Sequence, residues 1–395
     1  MSACQFGSAA SLSTPPSPPP STATRPPQTT PSVQVEFTLT PSPEFTPTPT
    51  VTVVPQLAWF YKPPSDENLE NIAANFSFGI LSNGNETERD QLAKLGMPGP
   101  FLQYLRFDVI QDPGSCTRQP WKNQVANQPG DYCRLSQEHP DWFLRDKKGE
   151  LLVNPYGGED FIMMDPGNKF WRAFFVERAL QAQQNGKWDG LFLDNVEISF
   201  MFREDRNQFP AAYPTEDSYT TAIQDFLEYI HTKLAAKGKL LFANLISRRD
   251  DAEFTNNLDN LDGAMHEGWA IDWPTGYRSA DQWETQMRLA EDTQALGKTI
   301  LLVSQGKISQ EKLQLFAYAS YLLVMQGRAY FRYANSSSYR EAWLYPNYQE
   351  KLGQPLGPRY QAGDPPGDTW RRDFTNGRVE VNPVDHTATI ELTSP

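Results

Sequence analysis

Two stretches of the chain carry an apolar run into a carboxylate. Trp188-Asp189-Gly190-Leu191-Phe192-Leu193-Asp194-Asn195 ends in an acid followed by an amide. Leu261-Asp262-Gly263-Ala264-Met265-His266-Glu267-Gly268-Trp269 has the same form and closes on glycine and tryptophan. A buried strand that delivers an acid to its end is what catalysis at the mouth of a parallel barrel requires. Cleaving a glycosidic bond takes two such groups, one protonated to assist the leaving oxygen and one ionised to attack or to activate water. Asp194 is therefore the candidate nucleophile, or the base if the reaction inverts, and Glu267 the candidate general acid. The plainer alternatives are a loop cap or an arginine-paired carboxylate for Asp194 and a rim salt bridge for Glu267. Glu197, three residues past Asp194, ranks third because it falls in the following loop rather than at a strand end.

Other strand ends supply groups suited to sugars, which present hydroxyl edges and apolar faces. These are Trp59 and Tyr61 on the first strand, Arg106 and Asp108 on the third, Asn195 beside Asp194 on the fourth, and Asn244 on the fifth. Trp269 follows Glu267, Gln305 ends the seventh strand and Arg332 lies on the eighth. Barrel packing is an equally good reading of each taken singly. No glycine-rich phosphate loop, serine nucleophile elbow or HExxH motif occurs, which removes the commonest nucleotide, esterase and zinc-protease readings.

The elements that must position these groups alternate. Strand-like runs near 57–61, 76–81, 102–107, 190–194, 239–245, 262–266, 299–304 and 329–333 are separated by helical patterns, the signature of βα units around a parallel sheet. Eight such units predict an α/β fold, a TIM-type (β/α)8 barrel over 56–335. Asp165-Pro166 reads as an N-cap and N1 proline ahead of Phe170, Trp171, Phe174 and Phe175. Tyr219 to Leu234 repeats at helical spacing until Gly238, and Ser279 with Gln282 forms a capping box before Trp283. Leu313 to Val324 forms another single-faced helix. Loops over about 109–140 and 195–214 are too long for plain connections and fall on the strands' C-terminal side. Phe374-Thr375-Asn376-Gly377-Arg378-Val379 reads as a hairpin with a type I′ turn, so 336–395 is expected to be a C-terminal extension with a small β appendage.

The 395 residues allow a barrel with additions, and 39% hydrophobic residues supply a large core. A net charge of -13 repels phosphate backbones, so nucleic acid is not expected as a partner. No apolar run approaches the ~18 to 20 residues of a spanning helix. Of 33 prolines, 12 fall in the first fifty residues among Ser and Thr, so 1–55 is read as a disordered, extended stalk. Met1-Ser2-Ala3-Cys4 resembles the end of a bacterial lipoprotein signal, which makes Cys4 a candidate lipid anchor and the only expected membrane contact. Cys116 and Cys133 lie in one polar loop and are a candidate disulfide, consistent with an extracellular or surface-tethered bacterial protein. Metal binding is the poorer reading, since neither lies in a CxxC and the four histidines show no ligand spacing. No cofactor is expected.

Asp141-Trp142-Phe143-Leu144 with Lys148-Gly149, Met164-Asp165-Pro166, the 189–195 segment and the 374–383 stretch together resemble a bacterial group, hypothetical glycosyl hydrolase family fifteen. The resemblance covers 57–383, and the segment ending in Asp194 is its most specific part. Its barrels look related to the α-galactosidase and polygalactosaminidase superfamily, which implies carboxylates after strand four and after strand five or six. It further implies glycan cleavage by an α-type, retaining enzyme acting on a carbohydrate substrate. A glycan-binding barrel without catalysis is the rival from another class, and a metal-dependent hydrolase a weaker third.

Overall fold

The computed structural model describes residues 54–61, 68–184, 187–199, 209–246, 251–272, 276–335, 338–363 and 365–393. Cys4 and the proposed stalk, apart from Val54 and Pro55, lie outside the described residues, as does 200–208 of the second long loop. No helix among the described residues is long and apolar enough to cross a membrane.

Eight parallel strands form the predicted barrel. In order around the sheet they are β1 (Ala58–Tyr61), β2 (Phe78–Leu81), β3 (Phe101–Arg106), β7 (Gly190–Glu197), β8 (Leu240–Ile246), β9 (Gly263–Glu267), β12 (Thr299–Gly306) and β13 (Ala329–Asn335). A parallel bridge from Leu57 to Phe331, with the Phe331 N–H bonded to the Gln56 carbonyl at 2.9 Å, joins the first strand to the last. Alternate residues of each strand share a face. Phe60, Phe78, Phe192, Phe242, Met265 and Leu301 fill the barrel interior, while residues of opposite parity meet the surrounding helices in a second, larger cluster.

The glycines of the two Asp-Gly pairs mark the N-terminal end of their barrel strands. A Cβ on Gly190 would stand 2.1 Å from the Leu240 carbonyl oxygen, and one on Gly263 2.5 Å from that of Thr299. The preceding acids stitch neighbouring strands there. Asp189 accepts from the Phe101 N–H at 2.7 Å and Asp262 from the Leu241 N–H at 2.8 Å.

Described helices on the outside are α1 (Leu69–Asn75), α2 (Glu86–Lys94), α3 (Asp131–Glu138), α4 (Lys169–Gln184), α5 (Glu216–Ala235), α6 (Asp251–Asn257), α7 (Ala280–Ala295) and α8 (Glu311–Val324). The Ser279–Gln282 capping box is present in both directions, and Gly238 takes a positive φ of 66° just past α5. One helix start differs from the sequence reading. Asn168, not Asp165, caps α4, its Oδ1 accepting from the N–H groups of Phe170 and Trp171 at 3.0 and 3.2 Å. Asp165 instead closes the preceding turn by accepting from the Gly167 N–H at 2.9 Å and from the Tyr213 hydroxyl. Asn168 prevails because it stands next to the aromatic run that starts the packed face.

Between β3 and β7 the chain leaves the barrel to form a three-stranded antiparallel sheet of β4 (Val109–Asp112), β5 (Val153–Tyr156) and β6 (Glu159–Met163) with α3. Part of the stretch expected as loop over 109–140 is thus ordered sheet and helix. Cys116 and Cys133 are bonded across it, with Cα atoms 5.7 Å apart. The bond closes a loop of 17 residues, which in the chain-entropy account is worth about 3 kcal/mol. Replacing both cysteines by serine is expected to lower the denaturant midpoint accordingly. An unchanged midpoint would show that the excursion is held by packing alone.

A short antiparallel ribbon of β10 (Ile271–Asp272) and β11 (Gly276–Tyr277) follows β9, and a four-stranded antiparallel sheet closes the chain: β14 (Tyr360–Gln361), β15 (Trp370–Phe374), β16 (Gly377–Asn382) and β17 (Thr387–Leu392). Arg372 Nη1 points into the carbonyls of Leu322, Leu323 and Met325, satisfying the C-terminal end of α8. The expected hairpin exists, but its turn is Thr375-Asn376, because Phe374 pairs with Gly377. Neither turn residue has positive φ, so it is not type I′. Gly377 serves packing instead, since a Cβ there would stand 2.2 Å from the Glu391 carbonyl oxygen.

Candidate active site

The interior parity that places Phe192, Phe242 and Met265 inside the barrel brings Asp194, Asn244 and Glu267 inside two residues later, at the C-terminal mouth. Asn244 Nδ2 donates to Asp194 Oδ1 at 3.2 Å and to Glu267 Oε2 at 3.0 Å. Each of the two amide hydrogens serves one carboxylate, so both acids stand within hydrogen-bond reach of a single nitrogen. One side chain thus fixes the spacing of the pair.

Asp194 is aimed by an irregular backbone. The register of β7 against β8 slips between Leu193 and Val196, so that Asp194 and Asn195 occupy a bulge opposite Asn244. Asn195 has φ 55°, a left-handed conformation that Asn tolerates better than most residues. With its amide oxygen turned to Arg106, Asn195 accepts from Nη2 at 2.9 Å and Nε at 3.2 Å. Arg106 is held by a buried ion pair with Asp108 at 2.9 Å. Arg106 and Asp108 therefore brace the bulge, Arg106 at the cleft and Asp108 behind it.

Two tyrosines that the sequence reading did not single out complete the pair's hydrogen bonding. The Tyr104 hydroxyl donates to Asp194 Oδ2 at 2.5 Å, and the Tyr339 hydroxyl to Glu267 Oε1 at 3.0 Å. Burial and then the facing carboxylate push both phenols well above their usual range, so both remain donors. Gln305 Nε2 donates to the Tyr339 oxygen. Asp194 thus accepts from two donors, Tyr104 and Asn244. At Glu267 burial, and after it the charge of Asp194, raise the carboxyl above its usual value, while the bonds from Asn244 and Tyr339 pull the other way.

These groups open into a cleft of about 1020 Å³, lined among others by Tyr104, Arg106, Trp121, Asp194, Glu267 and Tyr339. The remaining candidates fall elsewhere. Trp59 is fully buried on the outer face of β1 beneath Arg332, whose guanidinium lies 4.2 Å from its ring, because Ala58 and Phe60 hold the inward parity. Trp269 is also fully buried and donates its indole N–H to the Ala317 carbonyl at 3.1 Å. Gly268 and Ala270, at φ 74° and 56°, turn the chain there and carry the ring under α8. Arg332 binds the carbonyls of Phe60 and Tyr339, so it supports the segment bearing Tyr339 rather than facing the cleft. Glu197 is not in the following loop but ends β7, paired with Ile246 beyond the bulge; it is 2% exposed and is not part of the cleft lining. Tyr61 ends β1, and its side chain lies outside the described residues. Among the described residues no group of three or more His, Cys, Asp or Glu is placed to hold a metal.

Tyr104 was within reach of sequence reasoning, since it lies two residues before Arg106 on a strand whose inward parity Leu102 reveals. Tyr339 follows the last barrel strand in a serine-rich segment without periodicity, and nothing local marks it.

Solved structures similar to this one include the glycoside hydrolase domain of PelA from Pseudomonas aeruginosa, at 15% identity and a TM-score of 0.47, covering 73% of this chain and 97% of that one. A maltogenic alpha-amylase, AmyB, of Thermotoga neapolitana gives 12% identity and 0.48, over 83% and 86% of the two chains. The alpha-galactosidase TtGalA of Thermus thermophilus gives 14% identity and 0.42, over 76% and 64%. No curated protein matches the chain. The profile of hypothetical glycosyl hydrolase family 15 matches residues 115–378, a span that takes in Asp194, Glu267, the disulfide and the start of β16, and the chain belongs to that family.

Proposed function

We propose that the protein is a retaining glycoside hydrolase in which Asp194 is the nucleophile and Glu267 the general acid and base, acting on an extracellular glycan. The family supports hydrolysis of a glycosidic bond. The observation that carries the finer assignment is the single Asn244 nitrogen bonded to both carboxylates, at 3.2 and 3.0 Å. Two carboxylates that share one amide nitrogen stand close together, which supports the shorter spacing of retaining enzymes, roughly 5 to 5.5 Å, over the roughly 6.5 to 9.5 Å of inverting ones. The electrostatics divide the roles in the same sense, because Glu267 is the carboxyl whose protonated form is favoured.

In the first step an Asp194 oxygen forms a bond to the anomeric carbon as the bond to the leaving oxygen breaks, and the Glu267 proton passes to that oxygen. In the second, Glu267 as carboxylate takes a proton from water. The water oxygen attacks the anomeric carbon and Asp194 leaves with its electron pair, restoring both groups. Tyr104 and Asn244 hold Asp194 through the cycle, and Tyr339 and Asn244 hold Glu267. The disulfide supports a location outside the reducing cytosol.

The product anomer tests the proposal. Proton NMR of a digestion in progress is expected to show first the anomer of the substrate, with the other appearing only by mutarotation. The opposite anomer appearing first would overturn the nucleophile assignment. Glycan binding by the wild type with no product would favour a binding barrel.

A further inference from the structure

One face of the sheet formed by β4, β5 and β6 belongs to the cleft. Gln111, Asn154, Tyr156, Glu159 and Phe161 all line it, while Ile110 and Ile162, of opposite parity, are buried in the core. This face is continuous with the carboxylate pair. Tyr104, bonded to Asp194, meets Trp121 edge-on at 6.1 Å, and Trp121 meets Phe161 edge-on at 5.9 Å. From the rung of Val109 and Met163, beside the barrel, to that of Tyr156 and Glu159 is ~13 Å of strand. That is farther than one pyranose ring reaches.

At the outer end Tyr156 is 71% exposed, although it lines the same cleft. A lone exposed aromatic is ordinary on a protein surface. This one stands on a fixed base. Gly157 and Gly158, at φ 61° and 80°, form the two-residue turn between β5 and β6, with both residues at the positive φ that a type I′ turn requires. Its cross-strand partner Glu159 accepts from Gln111 Nε2 at 3.2 Å and pairs with Arg118. Arg118 also donates to the Pro113 carbonyl at 3.1 Å and lies two residues from the Cys116–Cys133 bond. A tyrosine on a backbone held this way offers a flat apolar face with few rotamers to lose, the property that suits stacking on a sugar.

We propose that this sheet face is a second glycan subsite, in which Tyr156 stacks on a pyranose unit of the same chain, remote from the bond held between Asp194 and Glu267. The substrate is then an oligo- or polysaccharide long enough to span both. The proposal rests on the hydrolase reading above, because it takes the scissile bond to lie at that pair. Binding energy gained at a remote unit is available to the reacting centre, so its loss falls on long substrates and spares short ones.

The test uses the full chain as wild type, Tyr156→Ala and Tyr156→Phe. Each is run through native gels containing galactomannan, dextran, chitosan or xylan, and assayed on a size-graded oligosaccharide ladder made from any of these that the wild type cleaves. Tyr156→Ala is expected to lose about tenfold in kcat/KM on the longest oligosaccharides and less than about twofold on the shortest one cleaved, with Tyr156→Phe near wild type. Equal loss at all lengths, or none at any, overturns the subsite. If a gel polysaccharide retards the wild type and none of the four is cleaved, the hydrolase reading fails by itself. Retardation lost in Tyr156→Ala then still supports the subsite, and retardation unchanged overturns it too. Neither cleavage nor retardation of the wild type by any of the four overturns both.

Discussion

Asp194→Asn is expected to lower turnover by on the order of 10⁴-fold while leaving the fold intact. The variant keeps the shape of the side chain in its bulge between Arg106 and Asn244 but has no lone pair fit to form a glycosyl ester. It also removes the negative charge that faces Glu267, so the Glu267 carboxyl should fall back toward its usual value of 4.5. A side-chain carboxyl titration followed by NMR checks that shift independently of activity. Loss of turnover without it would mean that the two groups do not sense one another.

Glu267→Gln is expected to lose about 10² to 10⁴-fold on substrates with sugar leaving groups. The loss should shrink on aryl glycosides, whose leaving oxygen needs less help from a proton. The pH profile follows from the same group. The proposed roles require Glu267 protonated and Asp194 ionised, and burial in the folded protein raises the Glu267 carboxyl above its unfolded value of 4.5. The alkaline limb of kcat/KM should therefore lie above the ordinary carboxylate range in the wild type. Stability depends on the ionisation of this group in the same sense. Because the folded-state value is raised, the contribution of this group is fully present below 4.5 and is lost as pH rises through the folded-state value. Glutamine cannot ionise, so Glu267→Gln should melt higher than wild type at neutral pH, and the difference should vanish in acid. A variant both slower and more stable is the mark of a site that stores unfavourable electrostatics for use. Equal melting temperatures at neutral pH would contradict that reading of Glu267.

The barrel was legible because its signals are local and repeated. Each strand is a short apolar run between turns, and the inward parity set by Phe192, Phe242 and Met265 runs straight into Asp194, Asn244 and Glu267. The errors arise where parity or capping is decided at longer range. Trp59 and Trp269 carry the right chemistry for sugars, but one has the outward parity of β1 and the other follows a left-handed turn that only the packed chain reveals. Asp165-Pro166 has the form of a helix start, yet the Tyr213 hydroxyl, 48 residues away, engages Asp165 in a turn. Tyr339 and Tyr156 reach the cleft from segments outside the barrel repeat, where no periodicity points to them. A site built partly on such excursions can be read from sequence only for the part that the repeat itself presents.

The most direct test of the carboxylate pair is reducing-end release by the full chain on a broad panel of bacterial and plant polysaccharides, with Asp194→Asn and Glu267→Gln alongside. The account predicts release by the wild type from at least one glycan, and a loss of orders of magnitude in both variants with their circular dichroism unchanged. Release that persists in both variants would contradict it.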